Sequence, residues 1–63
     1  METYKHLDLA WSRDQFRAKP THKLAQWYLQ NLMRSRHSDK IDDDEYLDGL
    51  REIKDWVNGQ KGG

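Results

Sequence analysis

Residues 42–59, DDDEYLDGLREIKDWVNG, carry a helix start, a helical face and a helix stop in a single run. Asp42 offers a cap oxygen and Glu45 stands three residues on, which is the spacing of a capping box. Asp43, Asp44 and Glu45 put negative charge where the helix dipole favours it. Tyr46, Leu50, Ile53 and Val57 recur at spacings of four, three and four and so share one face, flanked by Leu47 and Trp56. Asn58-Gly59 predicts the stop, with Gly59 at the left-handed position after the last turn. Residues 60–63 then read as a flexible C-terminal tail. Gly49 sits inside this helix, where glycine costs about 1 kcal/mol relative to alanine. Close approach of another helix is one reason for it, and simple tolerance is the other.

Upstream, Pro20 disfavours helix in the residue before it and Thr21 can cap the next one. Leu24, Ala25, Tyr28, Leu29, Leu32 and Met33 then form a broad apolar face that runs to about Arg36. His37-Ser38-Asp39-Lys40 is a short turn, and Ile41 is placed to staple the start of the last helix. So short a connection predicts an antiparallel helical hairpin of residues 21–36 and 42–58. The N-terminal segment is ambiguous. Tyr4, Leu7, Trp11 and Ala18 share one helical face, whereas Leu9 and Phe16 lie on another, and Ser12-Arg13-Asp14-Gln15 has the form of a second capping box. A helix somewhere within residues 4–18 is expected, with an irregular run to Trp11 as the variant. The fold class is therefore all-α: a small two- to three-helix bundle, with residues 1–59 as a single domain.

The 63 residues contain no cysteine and carry a formal net charge of zero. A chain this short has little core to spare and gains from a partner or a second copy of itself. No apolar run approaches the roughly 18 residues of a membrane-spanning helix, and residues 1–6 lack the apolar stretch of a signal peptide. A cytoplasmic protein is expected.

The zero net charge hides a strong asymmetry. Arg13, Arg17, Lys19, Lys23, Arg34, Arg36 and Lys40 face only Asp14 and Asp39 within residues 12–40. Asp42, Asp43, Asp44, Glu45, Asp48, Glu52 and Asp55 face only Arg51 and Lys54 within residues 41–58. One reading is internal attraction between helices of opposite charge. The other is a polarised surface that steers a partner. Trp27 lies off the apolar face, beside Lys23, Gln30, Asn31 and Arg34, and Trp with Arg is typical of interaction hot spots. The alternative is that the first segment folds over Trp27. The partner-binding set read from the sequence is Trp27, Lys23, Arg34 and Asn31, with Trp56, Asp48 and Glu52 on the last helix.

Catalytic and metal chemistry find no pattern. His6, His22 and His37 are too far apart for a ligand pair. Residues 40–47 resemble the close of an EF-hand loop, with Ile41 and Glu45 in its last hydrophobic and acidic positions. However, Arg34, Arg36 and Ser38 would stand at the earlier ligand positions, and Asp39 where the loop needs glycine. Helix capping accounts for the acidic run. No nucleophile elbow or phosphate-binding glycine loop is present, so no enzyme, metal or cofactor is expected.

A helix-turn-helix reading would send the acidic last helix into the DNA major groove, against phosphate repulsion. A nucleic-acid binder would have to use Arg13, Arg17, Lys19, Lys23, Arg34 and Arg36 instead, with Trp27 stacking on a base. The leading expectation is a non-enzymatic regulator or adaptor that binds a larger protein, in the manner of an inhibitor, antiactivator or phage- or plasmid-encoded accessory factor. Homodimerisation is compatible with it. A structural subunit of a larger assembly is the third reading.

Overall fold

Three side-chain caps start the three helices. A computed structural model describes residues 8–61 and contains α1 (Leu9–Ala18), α2 (His22–His37) and α3 (Asp43–Lys61). Asp8 caps α1 by accepting a hydrogen bond from the Ala10 amide at 3.2 Å. Thr21 caps α2 through the Leu24 amide at 3.1 Å. Asp42 caps α3 through the Glu45 amide at 2.9 Å. Each satisfies an amide that the first turn leaves without a backbone partner. Lys19, at φ −151° and ψ 85°, has left the helical region ahead of Pro20, which ends α1 and turns the chain into α2.

Asp39 ends α2. It adopts φ 61°, and the Lys40 and Asp39 amides donate to the carbonyls of Ser35 (2.8 Å) and Arg36 (3.1 Å). This pair of bonds is the Schellman pattern, with aspartate in the left-handed place that glycine usually takes. The all-α bundle and the antiparallel α2–α3 pair are both present.

Helix α2 is the central element. Helices α1 and α3 each lie against it, and their own backbones do not meet. Phe16, Ala25, Tyr28, Leu32 and Ile53 form the buried core, with Leu9, Leu24, Leu29, Ile41, Tyr46, Leu50, Trp56 and Val57 packed around it. The body is flat, 37 × 30 × 14 Å along its principal axes, so few side chains are fully enclosed. Phe16 joins the three helices. Its ring centroid lies 5.6 Å from Tyr28 on α2 and 5.6 Å from Trp56 on α3, the latter edge-on.

Several sequence expectations need correction. The first helix begins at Leu9, before the Trp11 boundary of the irregular variant, and its core face is Leu9, Ser12 and Phe16, while Ala18 is exposed. Ser12 is no cap. It is 0% exposed inside α1, where its hydroxyl donates to the Leu9 carbonyl and accepts from Asn31 Nδ2 at 3.0 Å. Glu45 does not close a reciprocal box; its carboxylate lies 3.8 Å from Arg13 of α1. Gly59 does not stop α3, which continues through Lys61, so residues 60 and 61 belong to the helix. Met33, expected on the buried face, is 52% exposed. Tyr4, Leu7 and the last two residues of the tail lie outside the described residues.

Gly49 is where a side chain of α2 packs onto the backbone of α3. A Cβ built there would lie 2.5 and 2.7 Å from the two Leu32 δ-carbons, and Leu32 is itself 2% exposed. The glycine lets Leu32 seat against the α3 backbone. Adding a methyl recovers about 1 kcal/mol of helix propensity but overpacks a site where overpacking costs roughly 1–3 kcal/mol. Gly49→Ala should therefore lower the denaturant midpoint modestly, whereas Gly49→Val should lower it strongly. In a Leu32→Ala background, Gly49→Ala should turn stabilising. A midpoint shift of the same sign in both backgrounds would refute this packing account.

Candidate functional site: the outer furrow between helices 2 and 3

Part of the opposite charge of the sequence is paired inside the fold, between helices. Arg17 of α1 donates from Nε to Glu52 Oε2 at 2.8 Å and from a terminal nitrogen to Oε1 at 3.0 Å. The Tyr28 hydroxyl of α2 donates to the same Oε1 at 3.2 Å. One carboxylate of α3 thus ties down both other helices through a bidentate clamp and a phenol. The Arg17 guanidinium is the main cause of a Glu52 carboxyl held below its ordinary range. Burial, followed by the Glu52 charge, pushes Tyr28 up to about 12. Arg13 pairs with Glu45, and Arg36 with Asp43 and Asp39.

This bonding scatters the residues read from the sequence as a binding set. Asn31 is 2% exposed and belongs to the α1–α2 seam with Ser12, so it cannot contact a partner at the surface. Trp27 is half-buried. Its ring lies 6.0 Å from that of Trp11 on α1, with Lys23 Nζ 5.3 Å from the Trp27 ring centroid. The first helix therefore shelters Trp27 without enclosing it. Trp56 packs edge-on against Phe16 and, at 5.0 Å, against His22. Glu52 is engaged by Arg17 and Tyr28, while Asp48 remains exposed near the α1 side. Trp27, Lys23 and Arg34 stay on the α1–α2 flank, and Trp56 with Glu52 does not join them.

The six cations of the nucleic-acid reading divide in the same way. Arg13, Arg17 and Arg36 are bonded to carboxylates, and Lys19, Lys23 and Arg34 remain exposed. A recess of about 470 Å³ where α1 meets the α2–α3 turn gathers Arg13, Arg34 and Lys40, but also Asp8 and Glu45, so its charge is mixed.

A different surface is mostly apolar. On the outer side of the α2–α3 seam an open furrow of about 490 Å³ is lined by Leu29, Leu47, Leu50 and Ile53, with Arg51 and Lys54. Met33 and Tyr46 line the adjoining stretch of the same seam, near Arg36, His37 and Asp43. The two large hydrophobics that stand mostly in solvent among the described residues are Met33 at 52% and Leu47 at 55%, and both flank this seam. The sequence reading assigned Met33 to the core and Leu47 to the edge of a stripe, and so missed the furrow. The signal was there in the width of the two apolar stripes, which exceeds what one neighbouring helix can cover.

Among the described residues no group of His, Asp or Glu stands where it could hold a metal ion, and no helix is long and apolar enough to cross a membrane. No protein-family model, curated protein or solved structure matches the chain.

The clamp predicts the pH response. Because the folded-state pKa of Glu52 is lowered, its contribution is complete above the ordinary carboxylate value of about 4.3 and is lost as pH falls through the lower folded value. Glu52→Gln should cost about 1 kcal/mol near neutrality, since the clamp is partly exposed. The gap from wild type should close in acid, as measured by urea titrations across pH. Tyr28 behaves in the opposite sense. Its raised pKa makes its contribution complete below about 10 and lost as pH rises towards about 12. Tyr28→Phe should remove a phenol that titrates near pH 12 from the alkaline ultraviolet difference spectrum.

Proposed function

We propose that this chain is a small protein-binding module that performs no chemistry of its own and engages a larger protein along the α2–α3 furrow. The observation that carries this reading is that Met33 and Leu47, both more than half exposed, line neighbouring stretches of the α2–α3 seam. Isolated exposed hydrophobics are ordinary, but an apolar furrow with exposed hydrophobics at and beside it, bordered by charge, is the usual form of a docking surface. The reading is also supported by the thinness of the body, since a small flat bundle gains proportionately more from burying a further apolar face. A regulator, inhibitor or adaptor acts through such a surface. The nucleic-acid alternative is left with Lys19, Lys23 and Arg34, because the other three cations of that set are held by carboxylates.

The test is selective loss of capture. Leu47→Asp and Met33→Asp change exposed side chains and should leave the helical circular dichroism intact. Each should reduce recovery of the cellular partner by roughly tenfold or more, as expected for a charge buried in an interface. Lys23→Glu, on the Trp27 flank, should leave recovery unchanged. Capture that survives Leu47→Asp but is lost with Lys23→Glu would move the interface to Trp27 and overturn this reading.

A further inference from the structure

The furrow has a polarity that selects among occupants. Its only charged lining residues are Arg51 and Lys54. Along α3, Leu47, Arg51 and Lys54 are spaced i, i+4, i+7 and form its outer stripe, with Leu50 and Ile53 as the inner one. No acidic residue of α3 lines the furrow itself, although the exposed Asp44 and Asp55 stand beside its outer stripe. Glu45 and Glu52 reach Arg13 and Arg17 on α1, Asp43 meets Arg36, and Asp48 lies on the α1 side near Gly49. Arg13, Arg17 and Arg36 all have carboxylate partners, whereas Arg51 and Lys54 have none among the described residues. The long stems of these two side chains extend the apolar floor and carry their charged heads to the rim.

A second copy of the chain is a poor fit for this rim. A twofold contact centred on the furrow presents the same patch from both sides. It would bring the Arg51 and Lys54 pair of one copy into the same contact as the pair of the other, with no carboxylate in the lining between Leu29 and Lys54 to offset them. From Leu47 to Lys54 the furrow runs about 10 Å along α3 at the helical rise, which accommodates two turns of a guest helix. Such a guest inserts apolar side chains at i, i+3 or i+4, and i+7, and its flank meets the rim.

We propose, on the basis of the furrow reading above, that the occupant is an amphipathic helix of another protein whose apolar stripe is flanked by Asp or Glu, held by Leu29, Leu47, Leu50 and Ile53 and selected by Arg51 and Lys54. The rim charges act chiefly on choice of partner and on encounter rate, and the apolar floor supplies the affinity.

Two synthetic helical peptides test this. Both carry leucines at i, i+3 and i+7; one has glutamates along the flank and the other lysines. Binding to the full chain is read by fluorescence polarisation, and the state of the chain alone by analytical ultracentrifugation. The glutamate peptide should bind about tenfold more tightly than the lysine peptide at low salt, and the ratio should shrink as salt screens the rim. Leu47→Asp should abolish binding of both, and Arg51→Glu with Lys54→Glu should reverse the preference. Equal binding of both peptides, lost with Leu47→Asp, would overturn the acidic partner and leave the furrow standing. No peptide binding, with self-association abolished by Leu47→Asp, would assign the furrow to a second copy. Glutamate-peptide binding that Leu47→Asp leaves intact would overturn both readings, and so would no binding by a strictly monomeric chain.

Discussion

Phe16 holds together two helices whose backbones never meet. Its ring leaves α1, crosses the edge of α2 against Tyr28 and ends against Trp56 of α3. At 2% exposure it is one of the few side chains that a body this flat can enclose. One residue later, Arg17 takes Glu52 in a two-point clamp that Tyr28 completes. The aromatic contact is non-directional and supplies burial. The clamp is directional and fixes which faces of α1 and α3 turn towards each other.

The rest of the surface follows from that orientation. Once Glu52 and Glu45 point at α1, helical periodicity puts Leu47, Arg51 and Lys54 on the opposite flank of α3. Leu29 and Met33 of α2 reach the same side because Gly49 draws the two helices together over Leu32. The furrow is thus the reverse side of the core. The chain engages Asp43, Glu45 and Glu52 of its acidic helix internally and leaves an apolar seam lined by Arg51 and Lys54 outside. An electrostatic layout that looks like a steering field in sequence serves in part to join the helices.

Polar burial follows the same economy. Ser12 and Asn31 occupy positions that could have held apolar side chains, and they bond to each other between α1 and α2. Each is further bonded to the backbone on the α1 side, Ser12 to the Leu9 carbonyl and Asn31 to the Asp8 carbonyl at 3.4 Å, so the polar groups are buried with partners. The pair therefore fixes the register of α1 on α2. It also removes Asn31 from any surface patch around Trp27, which rests instead on Trp11.

The sequence by itself determined what depends on near neighbours in the chain. The Thr21 and Asp42 caps, the proline break and the antiparallel pairing of α2 and α3 are local, because capping bonds span three residues and a short turn leaves one way to return. The tertiary structure decided which part of each apolar stripe is covered. Periodicity reports that Met33 and Leu47 lie at the margins of their stripes, but covering them needs a neighbour on that side, and α1 is clamped to the other. For the same reason Ser12 resembled a cap and Asn31 a surface residue: only the approach of α1 to α2 makes each the partner of the other. Gly59 resembled a stop, yet α3 runs on through it. Gly49 shows the division within one residue, since its place in the helix was legible and its reason, the Leu32 side chain against its Cα, lies on another helix.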